Sequence, residues 1–264
     1  MKDFLQTQRH GATLVMTLNR PERKNAFTRA MLREMKEQLS RAADDPEVRA
    51  VILTGVGGAF CAGGDVKAMN EGLNKTGTDE EQISVLRDLM EVSRLLHEMP
   101  KPTIAAIEGA AAGAGLSLAL ACDFRIASDT AKITTAFAKV GLSGDFGGTY
   151  FLTQILGTAM AKELYMFSPV ISGKEAERIG LVNRAVDTGA AMKDAMDFAD
   201  PLANGASRAL GRMKANLNLA AGGATLAEVM NLEARNHVAS TGTEDHKEAA
   251  AAFVEKRKPV FRGA

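Results

Sequence analysis

The twenty residues from Thr103 to Cys122, TIAAIEGAAAGAGLSLALAC, constrain the fold more than any other stretch of the chain. Their length alone would span a bilayer. Glu108 sits near the middle, however, and alanine and glycine supply too little transfer energy to offset a central carboxylate, which costs roughly 3 kcal/mol on insertion scales. The segment therefore reads as a buried strand, Thr103 to Ile107, that turns through glycines into a tightly packed helix. Such a unit needs neighbours to cover it. The chain has 264 residues, 46% of them hydrophobic, enough for one large domain or a core with a smaller annex.

The covering elements are legible on either side. FLQTQ and TLVMTL alternate apolar and polar positions around His10-Gly11, which predicts a hairpin. Met31, Leu32, Met35 and Leu39 recur at helical spacing between Thr28 and Ala43, and DDPE ends that helix. Ala50 to Thr54 reads as a strand. Lys67 to Gln82 is polar and glycine-bearing, which predicts a mobile loop, followed by a helix to about His97 that Pro100 and Pro102 terminate. Short strands are expected at Phe124 to Ala127 and Lys132 to Thr134, and helices from about Gly147. Ser172 and Glu175 have the form of a capping box, with Gly180 placed to end the short helix; Thr225 and Glu228 open another helix in the same way. From about Ala190 the pattern is helical to the end. The chain thus divides into an α/β core, residues 1–190, and an α-helical C-terminal region, residues 191–264.

The totals exclude several classes of function. The 32 basic and 32 acidic residues cancel, so no net field recommends nucleic acid or an anionic membrane as partner. Cys61 and Cys122 fit neither a disulfide framework nor a zinc site, and no metal site is expected. MKDFLQTQRH lacks the apolar core of a signal peptide, so the expected location is the cytoplasm.

Two glycine-rich turns carry the chemistry. TGVGGAF puts Gly55 and Gly57 after a strand, as a dinucleotide site would, but the third glycine position is Phe60, where helix and strand must pack closely. A different use fits better. AGGD exposes the amide of Gly64, and GAAAGAG exposes that of Ala114 at the start of a helix. Two amides aimed at one oxygen make an oxyanion hole, and the helix dipole adds to one of them. The same glycines would equally permit tight packing, and composition leaves both readings open.

Several motifs in order resemble the crotonase (enoyl-CoA hydratase/isomerase) superfamily: LNRPERKNAF, VRAVILTGVGGAFCAGGDVKAM, KPTIAAIEGAAAGAGLSLALACDFRIAS, GGTYFL, ISGKEAERIGLVNRAVD and AAAAFVEKRKPVF. The resemblance covers nearly the whole chain. It implies an α/β fold, a crotonase-like spiral of ββα units with an α-helical C-terminal trimerisation region, assembled as a homotrimer or homohexamer. It implies an acyl-CoA thioester as substrate, with coenzyme A part of that substrate and no separate cofactor. By the same resemblance Gly64 and Ala114 donate to the thioester oxygen, and Ala62, Asp65 and Val66 hold the adenine end of CoA. Arg23 and Lys24 contact CoA, while Phe253 and Lys256 in the last helix reach the nucleotide, often from a neighbouring subunit.

Hydratases similar to crotonase use two glutamates, and the matching positions here are Ser117 and Phe137, neither of which is a carboxylate base. GLSGDFGGT instead places Asp145 where isomerase and dehalogenase members carry their working aspartate. The resemblance thus implies an enoyl-CoA isomerase in which Asp145 takes a proton from the α-carbon and returns it at the γ-carbon. An atypical hydratase using Asp145 and a non-catalytic acyl-CoA-binding protein are the alternatives. Phe146 beside Asp145, and Phe137 expected across the pocket, would desolvate the carboxyl and raise its pKa. Asp145 is also suited to cap the helix beginning near Gly147. His97 reads as a helix-terminal residue satisfied by carbonyls rather than a water activator. Glu108 and Asp123 read as structural, and Cys61 as a small buried thiol. Ser168-Pro169-Val170 stands where the family often has a glycine and an acidic residue, and carries no functional reading.

Overall fold

Unbroken apolar runs such as AVIL and TIAAI suit parallel strands, which are covered on both faces. The computed structural model describes residues 4–65 and 77–264. β1 (Leu5–His10) and β2 (Thr13–Leu18) form the antiparallel hairpin, turned by Gly11 at φ 58°. β2 pairs in parallel with β3 (Ala50–Gly55), which pairs with β4 (Thr103–Ile107). After β5 (Ala110–Ala112), β6 (Phe124–Ser128) adds to β4. β7 (Lys132–Thr134) pairs with β5 in a small second sheet, and β8 (Arg184–Val186) completes the six-stranded one.

Alternate residues of the main sheet serve two cores, as the two-residue period of a strand requires. Val51, Leu53, Ala105 and Ile107 face one; Ala50, Ile52, Ile104 and Ala106 face the other. The first core takes residues from α1 (Arg29–Asp44), α2 (Asp79–Leu89), α3 (Glu91–Glu98), α4 (Ala114–Ala121) and α5 (Gly148–Phe167). α6 (Gly173–Arg178) precedes β8. The second core is closed by α7 (Ala191–Ala203), whose Ala195, Ala199 and Ala203 recur every four residues and let the helix lie close on the strands. The first helix after residue 190 therefore packs on the sheet itself. α8 (Ser207–Ala221), α9 (Leu226–Thr241) and α10 (Glu244–Glu255) follow.

Four expectations need correction. Gln82 belongs to a helix, not a loop, because Thr78 and Glu81 form a complete capping box that starts α2 at Asp79. Residues 67–76 of that expected loop lie outside the described residues. GAAAGAG is a turn that contains a strand, since β5 has neighbours on its edge that three alanines do not announce. β8 was not anticipated either. At Ser172 only half the box forms: its side chain accepts from the Glu175 amide, while the Glu175 carboxylate pairs with Arg178.

Asp123 ties the helical region to the core. Its Oδ2 accepts from the Thr103 amide at 2.8 Å and pairs with buried Lys214 of α8 at 2.8 Å. Lys214 also donates to the carbonyls of Leu96 and Lys101. Among the described residues no helix is long and apolar enough to cross a membrane, and no group of side chains could hold a metal ion.

Candidate active site

The turn before Gly64 is built on one buried asparagine. Asn25, in the left-handed region at φ 58°, donates from Nδ2 to the carbonyls of Val56 and Ala59 and accepts from the Arg20 amide at 2.8 Å. The neighbouring Lys24 carbonyl accepts from the Ala62 amide, and Phe27 donates from its amide to Gly63 in a bridge that pairs Phe27 with Gly64. Replacing Asn25 with alanine would leave these backbone groups unpaired and keep a β-carbon at positive φ. The expected cost is about 2 kcal/mol of unfolding free energy, read from urea denaturation; an unchanged midpoint would contradict it.

The second turn approaches the first through glycine. A methyl group on Gly63 (φ 85°) would lie 2.7 Å from the Ala112 carbonyl oxygen and 3.1 Å from the Ala114 nitrogen. One on Gly115 would lie 2.4 Å from the Cys61 carbonyl oxygen. Gly113, at φ 53°, redirects the chain from β5 into α4, leaving Ala114 as the first helical residue. Its N–H is one of those that no helix satisfies internally. Neither the Gly64 nor the Ala114 amide has an acceptor among the described residues. Both line one cavity of about 460 Å³.

Asp145 lines the same cavity. Its Oδ1 is buried without a hydrogen-bond partner among the described residues, and burial alone pushes its pKa up to about 6. The helix cap expected of it is taken by Gly147 at φ 74°, with no side-chain cap bond. Asp145 is thereby left free of structural duty.

Tyr165 is the residue that sequence reasoning missed. Its phenol lies near Ser117, whose Oγ donates to the Gly113 carbonyl at 3.3 Å, and burial, with the Asp145 charge adding to it, pushes the Tyr165 pKa to about 12. A methyl group on Gly148 would lie 2.4 Å from this hydroxyl and 2.3 Å from Ser117 Oγ. Gly148 is therefore required for the hydroxyl pair to sit beside the start of α5. Phe137 does not line the cavity; its ring stacks on Tyr165 at 5.8 Å. Only the contact of helix α5 with this region could have signalled Tyr165, and spacing alone does not supply it.

The remaining site candidates are spread out. Asp65 lines the cavity and pairs with Arg20 at 2.8 Å, both largely shielded. Ala62 is half-buried, Arg23 and Lys24 are exposed, and Val66 lies outside the described residues. Phe253 and Lys256 are exposed at the end of α10 and do not line the cavity. Glu108 Oε1 accepts from the Ala191 amide at the start of α7, as the helix dipole favours. Cys61 donates to the Asn25 carbonyl and burial pushes its pKa to about 12, which makes it a poor nucleophile. His97 needs correction: its ring packs on Phe151 at 5.1 Å and on Tyr150, rather than on carbonyls, and its pKa is lowered chiefly by burial. It does not line the cavity with Asp145. Ser168 is a left-handed helix terminus at φ 44°, its Oγ shared with Thr135.

Residues 8–264 match the family model described as enoyl-CoA hydratase/isomerase. The chain is 35% identical to 1,2-epoxyphenylacetyl-CoA isomerase of Escherichia coli K12, over 100% of each chain. It is 36% identical to crotonyl-CoA hydratase of Syntrophomonas wolfei, over 94% of this chain and 93% of that one. The crystal structure of an enoyl-CoA hydratase from Polaromonas sp. JS666 superposes with a TM-score of 0.91 at 36% identity, covering 97% of this chain and 99% of that one.

Proposed function

Because the chain belongs to the enoyl-CoA hydratase/isomerase family and shares its crotonase-like fold, we propose that it is an enoyl-CoA isomerase that works through a single carboxylate, Asp145. The observation that carries this reading is the company Asp145 keeps. An unpartnered, partly desolvated carboxylate shares one cavity with two unengaged amides, those of Gly64 and Ala114. The amides hold the thioester oxygen and stabilise the negative charge that develops there. Asp145 then takes a proton from the α-carbon of a 3-enoyl thioester. The pair of electrons left behind is shared along the chain, and the same carboxyl returns the proton at the γ-carbon, giving the 2-enoyl isomer with no water consumed.

The glutamates of the hydratase pattern are replaced by Ser117, whose Oγ donates to the Gly113 carbonyl, and Phe137, stacked on Tyr165. This favours isomerisation over hydration. Conversion of 3-enoyl to 2-enoyl thioester, followed by the absorbance of the conjugated product, tests the reading; mass spectrometry showing uptake of water instead would replace it with hydration. Binding without turnover would replace it with the non-catalytic reading.

A base must be ionised to accept a proton. Since burial holds the Asp145 pKa near 6, kcat/KM should be flat above about pH 7 and fall about tenfold per unit below the pKa. A pH profile that stays flat down to pH 4.5 would exclude Asp145 as the base.

The proposed assembly is a homotrimer or homohexamer in the cytoplasm, with Arg23, Lys24, Ala62, Asp65 and Val66 contacting CoA, and Phe253 and Lys256 reaching it from a neighbouring protomer. Exposed Met213, Leu217, Met230 and Val238 on α8 and α9 supply apolar surface for that assembly.

A further inference from the structure

Phe146 adopts a conformation that an aromatic residue rarely takes. Its φ is 51°, between Gly144 at φ 110° and Gly147 at φ 74°. For a residue with a β-carbon this region costs about 1–2 kcal/mol, a strain that persists where surrounding structure enforces it and often marks a functional position. The enforcement is visible. The ring is 4% exposed and lies 5.9 Å from that of Phe27, the residue bridged to Gly64. One aromatic pair thus stands beside an oxyanion amide, and its second member directly follows Asp145 in sequence.

Two cavities meet at this ring. The first, about 460 Å³, holds Gly64, Ala114 and Asp145. The second, about 610 Å³, is lined by Met90, Phe151, Leu219 and Leu232 and also by Arg87, Arg94, Glu98 and Asn218, its surface mostly apolar. Among the described residues Phe146 is the one lining residue common to both. The rest of the partition is the end of α2 and the residue after it: Leu86 and Leu89 face the first cavity, Arg87 and Met90 the second.

We propose that Phe146 is a specificity-determining wall, which confines the acyl group to a compact one and closes off a second apolar cavity that a longer hydrocarbon chain would fill. This rests on the reading of the site as an acyl-CoA site. The thioester oxygen is fixed by Gly64 and Ala114, so the acyl chain beyond the α-carbon must run past Asp145, and the next side chain along that turn is Phe146. A short acyl group ends against the two rings. A long one has nowhere to go unless the Phe146 ring is absent.

Binding is the better readout than turnover, because removing the ring also hydrates Asp145 and changes its basicity. The experiment is calorimetric titration with unreactive S-alkyl-CoA thioethers from butyl to hexadecyl, on wild type, Phe146→Gly and Phe146→Asn. Glycine and asparagine both tolerate positive φ. Each methylene newly buried raises affinity about fourfold. Wild type should climb over the short members and then level or fall. The variants lose the contact that ends a short chain, yet they should continue to climb and hold the dodecyl compound at least about tenfold more tightly than wild type does.

An unbroken climb to hexadecyl in wild type overturns the wall, even if neither variant folds. So does a wild-type plateau retained in a variant with native circular dichroism. No binding of any thioether by folded wild type would instead sink the acyl-CoA reading itself, which keeps the two failures distinct.

Discussion

Asp145→Asn is expected to lower kcat on a 3-enoyl-CoA by about 10³ to 10⁴-fold, with little change in KM, because the amide keeps the shape of the carboxyl and loses its basicity. The same variant is expected to be more stable than wild type at neutral pH. The carboxyl pKa rises to about 6 through burial, so the folded state binds this proton more tightly than the unfolded chain does. The resulting stabilisation is complete below the unfolded value and disappears as pH rises through about 6, above which ionising the buried group opposes folding. Removing that burden should give up to about 3 kcal/mol at pH 8, and the gain should shrink as pH falls toward 4. Urea titrations at both pH values check it. An inactive variant with no gain at pH 8 would mean that burial does not strain the carboxyl.

The second large effect concerns a backbone group. Ala114 is the first residue of α4, the position at which a helix tolerates proline best because the lost N–H has no intrahelical partner. Gly113 before it, at φ 53° and ψ −128°, has no β-carbon to clash with the ring. Ala114→Pro therefore deletes one oxyanion donor while leaving the helix in place. The expected loss is about 10² to 10³-fold in kcat, with the unfolding midpoint near that of wild type. Activity within threefold of wild type, in a variant whose fold is intact, would remove Ala114 from the site.

Much of this site was legible because its parts are local. A strand end, two glycines and an amide can be read from AGGD, and GAAAGAG shows that a helix begins beside a tight turn. Gly64 and Ala114, read from those turns, line one cavity with Asp145, which the family resemblance supplied. What was not legible depends on partners distant in sequence. Three alanines become β5 only because β7 lies beside them. Tyr165 comes near enough to Asp145 to feel its charge because α5 brings it back to this region, and there its ring stacks on Phe137, which does not line the cavity. His97 reads as a helix end in sequence, but Tyr150 and Phe151 of another helix decide its surroundings. Phe146 could be read as a hydrophobic neighbour of Asp145. That its ring divides two cavities follows from a positive φ, which no side-chain pattern announces.

The most direct test of the central claim is proton NMR of a 3-enoyl-CoA incubated in deuterated water with wild type and with Asp145→Asn. A single-carboxylate shuttle predicts migration of the double bond, with exchange at the α- and γ-carbons, in wild type and neither in the variant. Migration by the variant at a rate near that of wild type would contradict it.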